Sequence, residues 1–243
     1  MSLLDAITGP TAQIIVGKGG NVQRFNIHKK LLCDSSTYFK AALNNGFAET
    51  RDQKITLDDE DPAVFRTYVA WLYKERLDTR TMPSGVQKEA VQRHMLELYV
   101  FADKRGIITL LNDTITMLAS RWAVTSVSLN DIAWLFPLIP HTSKLYQLLV
   151  DNLVLELKDT SEIRRRLVEG DLPRTALIDI SLRRQSLRRN FKRYEACFES
   201  VCHYHLHEQS GGMSRQECIR RIEAGDNVWS DELDLEQCMW EWD

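Results

Sequence analysis

Cys202, His205, His207 and Cys218 are the residues of this chain best suited to chemistry. They could supply two sulfurs and two nitrogens to a tetrahedral zinc ion, in a closed structural site. Their spacing differs from that of a standard zinc finger. His203 competes with His205 for a place in the set. On a continuing helix His203 and His207 share a face, whereas a turn at Tyr204 brings His205 beside His207. Gly211-Gly212 signals that the chain leaves the helix here, which favours His205 and His207. The alternative is ordinary packing, because Cys202 and His205 end an apolar stripe where buried histidines and free cysteines are common. Nothing nearby reads as a general base in a substrate-sized pocket, so catalytic zinc is disfavoured.

Two other clusters invite a chemical reading. Ser181-Leu-Arg-Arg-Gln-Ser-Leu-Arg-Arg-Asn-Phe-Lys-Arg193 is densely basic, as a nuclear import signal or nucleic-acid patch would be. Its leucines and Phe191 fall on an apolar stripe, which leaves the arginines as a solvated helix face. The acidic segment Asp231–Glu236 and Glu241-Trp-Asp243 supplies opposite charge in the same chain, so nucleic-acid binding is disfavoured. Trp229, Trp240 and Trp242 in that tail would dock on the body or on a partner. Gly17-Lys-Gly-Gly20 lacks the phosphate-loop glycine spacing with a following Lys-Ser/Thr, and it joins two strands instead of opening a helix. Cys33 sits where a small buried residue is expected, and no nucleophile-elbow pattern occurs, so no enzyme is predicted.

The elements that would position these residues follow from composition and periodicity. The 243 residues are enough for a substantial core, and 44% hydrophobic with 27% charged residues is ordinary for a globular protein. A formal charge of −3 calls for neither nucleic acid nor membrane. No apolar run reaches transmembrane length, and Met1-Ser-Leu-Leu-Asp-Ala-Ile7 has no basic cluster of a secretory signal. Five cysteines, four of them beyond residue 190, argue against a disulfide framework and for the cytosol or nucleus.

Ile14-Ile-Val16 and Gln23–Ile27 read as strands of a hairpin, with Phe25 and Ile27 on one face. Lys54-Ile-Thr-Leu57 gives a third strand. Asp61-Pro62 opens a helix whose apolar face is Val64, Phe65, Tyr68, Val69 and Leu72, with aspartate as cap and proline at the first position. A loop is expected around Pro83-Ser-Gly85. Val91, Met95, Leu98 and Ala102 mark the next helix, ended by a left-handed cap at Gly106. Ile108, Leu111, Ile115, Leu118 and Trp122 mark another. Three strands and about five helices make a compact α+β domain ending near residue 124. Beyond it, Ser128 caps a helix carrying Ile132 and Leu135, which Pro137 and Pro140 end. Leu145, Leu149 and Leu153 define a further helix. Asp171-Leu-Pro173 opens a long one on which Leu187, Phe191, Tyr194, Phe198, Val201 and His205 share a stripe.

The stretch Phe25-Asn-Ile-His-Lys-Lys-Leu-Leu-Cys-Asp-Ser-Ser-Thr-Tyr-Phe-Lys-Ala-Ala-Leu43 resembles the central signature of BTB/POZ domains. Asp61-Pro-Ala-Val-Phe65, Trp71-Leu-Tyr73 and Leu98–Gly106 are similar to later segments of that family, particularly of its fungal group. The resemblance covers residues 11–124. It implies a BTB/POZ fold, a short β-sheet capped by helices, then a helical extension over 125–209 and an acidic, Trp-containing tail over 210–243. It also implies a protein-binding module with no catalytic centre. Some BTB domains that recruit substrates to cullin-type ubiquitin ligases carry a hydrophobic-x-Glu motif after the Ala-Leu helix, and Phe47 and Glu49 match it. An exposed aromatic beside an acid suits docking, the aromatic as anchor and the acid as orienting group. The alternative is that Phe47 tucks under its own domain. The expected function is an adaptor linking a partner or substrate to such a ligase, or else a nuclear regulator or zinc-stabilised scaffold without a ligase role. About ten residues precede the first strand, too few for the long helix of exchanged-segment dimers, so a monomer or a small BTB-mediated dimer is expected. His28 is expected to be structural, bonding near the strand-to-helix turn.

Overall fold

Ile14 and Val16 alternate with polar Gln13 and half-buried Ile15, and this period of two places both in the interior, with no exposed surface. They belong to β1 (Thr11–Val16), which pairs antiparallel with β2 (Gln23–His28) and parallel with β3 (Lys54–Leu57) in a sheet of order β2-β1-β3. The parallel pairing was not assigned from the sequence. Gly17, at φ 88°, makes the β1–β2 turn, and a Cβ there would lie 2.2 Å from the Asn21 carbonyl oxygen. The computed structural model describes residues 6–46, 48–77, 88–125, 127–156, 165, 169, 172–186, 201–207 and 213–224.

Six helices follow from the signature to Val124 among the described residues: α1 (Lys29–Ser35), α2 (Thr37–Asn44), α3 (Ala48–Asp52), α4 (Pro62–Lys74), α5 (Lys88–Lys104) and α6 (Ile108–Val124). The one beyond the expected five is α3, too short to show periodicity. Ser36 ends α1 and starts α2. Its Oγ accepts from Phe39 N at 3.2 Å and donates to the Arg105 carbonyl at 2.7 Å, so one buried hydroxyl both caps α2 and ties it to the end of α5. The Asp61 carboxylate accepts from Ala63 N at 2.7 Å with Pro62 at the first helical position, as read from the sequence. Gly106 adopts φ 59° after α5. A Cβ there would meet Thr37 Oγ1 at 2.3 Å, so glycine is needed both for the cap and for the approach of α2.

The core gathers Phe39, Phe65, Tyr68 and Phe101 in mutually tilted or stacked rings, together with Ile14, Ile27, Leu43, Met95 and Trp122. Trp71 is also buried. Its indole N–H reaches Asp113 Oδ2 at 2.7 Å, which settles the one polar atom it carries into the interior. His28 sits at the strand-to-helix turn with Nδ1 2.7 Å from the Tyr73 hydroxyl.

Beyond α6 come α7 (Leu129–Leu135), α8 (Lys144–Glu156), α9 (Arg174–Ser186), a 3-10 turn (Val201–Tyr204) and α10 (Arg215–Glu223). Leu145, Leu149 and Leu153 of α8 are fully buried, as their spacing requires. Four expectations are corrected here. Ser128 occupies the cap position of α7 without a side-chain cap bond, and its N–H instead reaches Gln92 Oε1 at 3.3 Å. The buried residues of α9 are Ala176, Leu177 and Ile180, with Leu172 buried just before the helix, whereas Leu182 is 59% exposed, because α9 packs on α8 through its first turns. The arginines are not all a solvated face: Arg183 bonds Asp151 of α8 at 2.5 and 3.0 Å. The long stripe does not continue as α-helix to His205, since 201–204 is a 3-10 turn. The loop around Pro83, the residues Leu187–Ser200 with Cys197, and the tail with Trp229, Trp240 and Trp242 lie outside the described residues. Among the described residues no helix is long and apolar enough to cross a membrane.

Candidate interaction surface and metal-ligating cluster

The surface after α2 is set by a small polar turn. Gly46, at φ 80°, sends its N–H to Thr50 Oγ1 at 3.1 Å, and that hydroxyl donates to the Ala42 carbonyl at 2.9 Å. The turn thereby folds α3 back against the end of α2. Glu49 lies half-buried in the first turn of α3, where a carboxylate suits the partial positive charge of the helix start. Phe47, expected to be its apolar companion, lies outside the described residues.

The second site is built on α6. Asn112 extends its amide to Leu206, donating to its carbonyl at 2.7 Å and accepting from its N–H at 2.8 Å. A side chain thus pairs with backbone as a strand neighbour would. Val201 and Tyr204 are buried, and the Tyr204 hydroxyl donates to Asp151 Oδ2 at 2.5 Å. Lys144 Nζ donates to the His203 carbonyl at 3.0 Å. These bonds fix the turn, and the turn decides which imidazoles face inward. His203 is exposed and lines a depression of about 520 Å3 with His141, Tyr146 and Asp179. His205 is 5% exposed and His207 half-buried, both on the opposite side.

Cys218 arrives from α10. Ser214 Oγ caps this helix by accepting from Glu217 N at 3.1 Å, and Cys218 N bonds the Ser214 carbonyl at 3.0 Å. Ser214-Arg-Gln-Glu217 has the pattern of a capping box, a sequence signal for α10 that went unread. Arg221, one turn on, bonds Asp113 Oδ2 at 3.2 Å and the Glu75 carbonyl at 2.9 Å, tying α10 to α6 and α4. Asn112, Asp113, Thr116 and Arg221 were all missed as residues that hold this site. They look like ordinary polar helix positions until the partner segments are in place.

Three of the four sequence-selected residues come together. One ligand atom each of Cys202, His207 and Cys218 lies within 4.8 Å of the other two. Cys202 Sγ is 3.3 Å from His207 Nε2, and Cys218 Sγ is 2.9 Å from His205 Nδ1. His205 touches Cys218 but stands outside the mutually close three. Without a cation, burial and the neighbouring His207 and Arg221 push the His205 imidazole down to about 3, so its neutral form dominates. Burial, then Cys202 beside it, pushes the Cys218 thiol up to about 12.

A depression of about 660 Å3 is lined by Leu31, Ser35, Trp71, Glu75 and Arg221. His28 and Cys33 line neither this depression nor the one beside His203.

Residues 10–103 match the family model of the BTB/POZ domain. These residues form a BTB/POZ domain. The matched span runs from just before β1 to near the end of α5, so α6 and the helices beyond it lie outside the match. No curated protein matches the chain. BTB/POZ domains are protein–protein interaction modules, and the fold is the α+β arrangement of that family followed by a helical extension. A domain of this family implies protein partners.

Proposed function

We propose that this BTB protein is an adaptor that links a partner or substrate to a cullin-type ubiquitin ligase. The observation that carries the reading is the motif Phe47-Ala-Glu49 inside the matched BTB/POZ span, with Glu49 in the first turn of α3. Phe47 would be the apolar anchor in a cullin groove, and Glu49 would orient it through a charged bond at the rim. In this reading the helices from α7 onward would hold the substrate. A chain acting this way works in the cytosol or nucleus and supplies no catalytic group of its own.

The adaptor reading is tested by pull-down of a cullin with the full chain, followed by Phe47→Ala. Cullin affinity should fall by at least ~1 kcal/mol, with little change in melting temperature. Cullin binding insensitive to Phe47→Ala means that the anchor is elsewhere. A variant that unfolds means that Phe47 is a core aromatic. The rival reading is a regulatory or scaffold BTB protein without a ligase role. Its nuclear version, built on the basic helix, is weakened by the engagement of Arg183 with Asp151 inside the fold.

A further inference from the structure

We infer that Cys202, His207 and Cys218, with His205 as fourth ligand, form a structural site for a soft divalent cation, zinc first among them. The site clamps the 3-10 turn and α10 onto α6. This inference does not rest on cullin docking.

The donor set is two sulfurs and two imidazoles from two short segments, brought together by bonds that involve no cation: the Asn112–Leu206 pair, the Tyr204–Asp151 bond and the Arg221–Asp113 bond. Ligand pairs around tetrahedral zinc lie roughly 3.3–3.8 Å apart, an N–S pair at about 3.5 Å, given Zn–S near 2.3 Å and Zn–N near 2.0 Å. The N···S separations of 3.3 and 2.9 Å need only small side-chain rotations to open to that value.

Proton placement favours the same role. Thr116 Oγ1 donates its one hydrogen to the Asn112 carbonyl at 3.1 Å, so its lone pairs accept Nε2–H of His205 at 3.0 Å. His205 Nδ1 is then bare and points at Cys218 Sγ. A metal-bound imidazole is held in just this manner, its other nitrogen donating to an oxygen behind it. His207 can be held likewise: Nδ1–H donates to the Met213 carbonyl at 3.3 Å and Nε2 faces Cys202 Sγ. The Cys202 carbonyl, 3.2 Å from that Nε2, would then be a lone-pair neighbour.

Charge decides the class of ion. Two thiolates neutralise a dication in a place where Cys218 is 2% and His205 5% exposed, and the adjacent Arg221–Asp113 pair is neutral as a whole. Sulfur and imidazole donors select zinc over magnesium or calcium, which need oxygen.

The experiment uses the full chain, prepared under reducing conditions, loaded with zinc and dialysed against metal-free buffer. About one zinc per chain should be retained, as a closed four-ligand site holds one ion. Cys202→Ser and His207→Gln should each lower retained zinc at least about tenfold. Cobalt(II) in place of zinc should give a tetrahedral visible spectrum with a sulfur-to-cobalt charge-transfer band. Stripping the metal from wild-type chain with a chelator should speed hydrogen exchange across 201–207 and 213–224, while the amides of β1 and β3 stay protected. That last arm needs no mutation and holds even if the variants fold poorly. Retention of less than about a tenth of a zinc per chain with both segments protected would overturn the inference. So would zinc that survives both substitutions, or a Cys202–Cys218 disulfide in protein purified without reductant.

Discussion

Replacing Trp122 by alanine should lower the unfolding free energy by about 3–5 kcal/mol, read from urea or thermal unfolding of the full chain. The indole is fully buried, and its Nε1 donates to Gln92 Oε1 at 2.8 Å. Gln92 is also 2% exposed and bridges three helices: from α5 it binds Trp122 of α6, the Ser128 N–H and Asp131 of α7 at 2.9 Å. Alanine would therefore open a large cavity and free the amide that seats the start of α7. Trp122→Phe keeps most of the ring volume and should lose clearly less than alanine. A loss under about 1 kcal/mol for alanine would mean that the site collapses without penalty, and that Trp122 does not carry the packing expected of a fully buried core residue.

Asp151→Ala should cost about 2–3 kcal/mol and loosen the end of the chain more than the domain. Asp151 is 4% exposed and accepts from the Tyr204 hydroxyl and from Arg183 on both oxygens. Which bond matters more follows from exposure. The Arg183 side chain is 41% exposed, so water and salt screen much of its pairing. Tyr204 is 2% exposed, and removing the acceptor of its hydroxyl costs closer to the full desolvation of that group. Hydrogen exchange should accordingly rise across 201–207 while β1 keeps its protection. Asp151→Asn retains one acceptor oxygen and should recover part of the loss. Equal acceleration throughout the chain would show that the extension and the domain open as one unit.

The domain was legible because its signals are local. The cap at Asp61, the left-handed Gly106, and the spacing of Val91, Met95 and Ala102 each act within a few residues. Backbone preference alone was enough to place them. The parallel β1–β3 pairing was not, since it joins Gln13 to Lys54 across β2 and three intervening helices and depends on how they pack. The four candidate ligands were legible by chemical type, and the choice of His205 over His203 by the glycines that end the helical pattern. Their support was hidden. Thr116 and Asn112 are polar residues on α6 whose partners lie 89 and 94 residues away, and no short-range pattern announces such pairs. The basic stretch misled because Arg183 reads as surface until α8 brings Asp151 under it.

The amide of Asn112 gives the molecule a closed loop where the chain alone would have a tail. Its two bonds to Leu206 join residues 94 apart. Closing a flexible loop of that length forfeits roughly 4 kcal/mol of chain entropy, and two hydrogen bonds return only about 1–3 kcal/mol net. The clasp cannot shut on those bonds by themselves. It shuts because Val201, Tyr204 and Cys218 reach the interior in the same event, so partial engagement is less favourable than either full closure or full release. The 3-10 turn and α10 should therefore engage and release α6 together, so a partner that grips 201–207 would set the position of α10 as well.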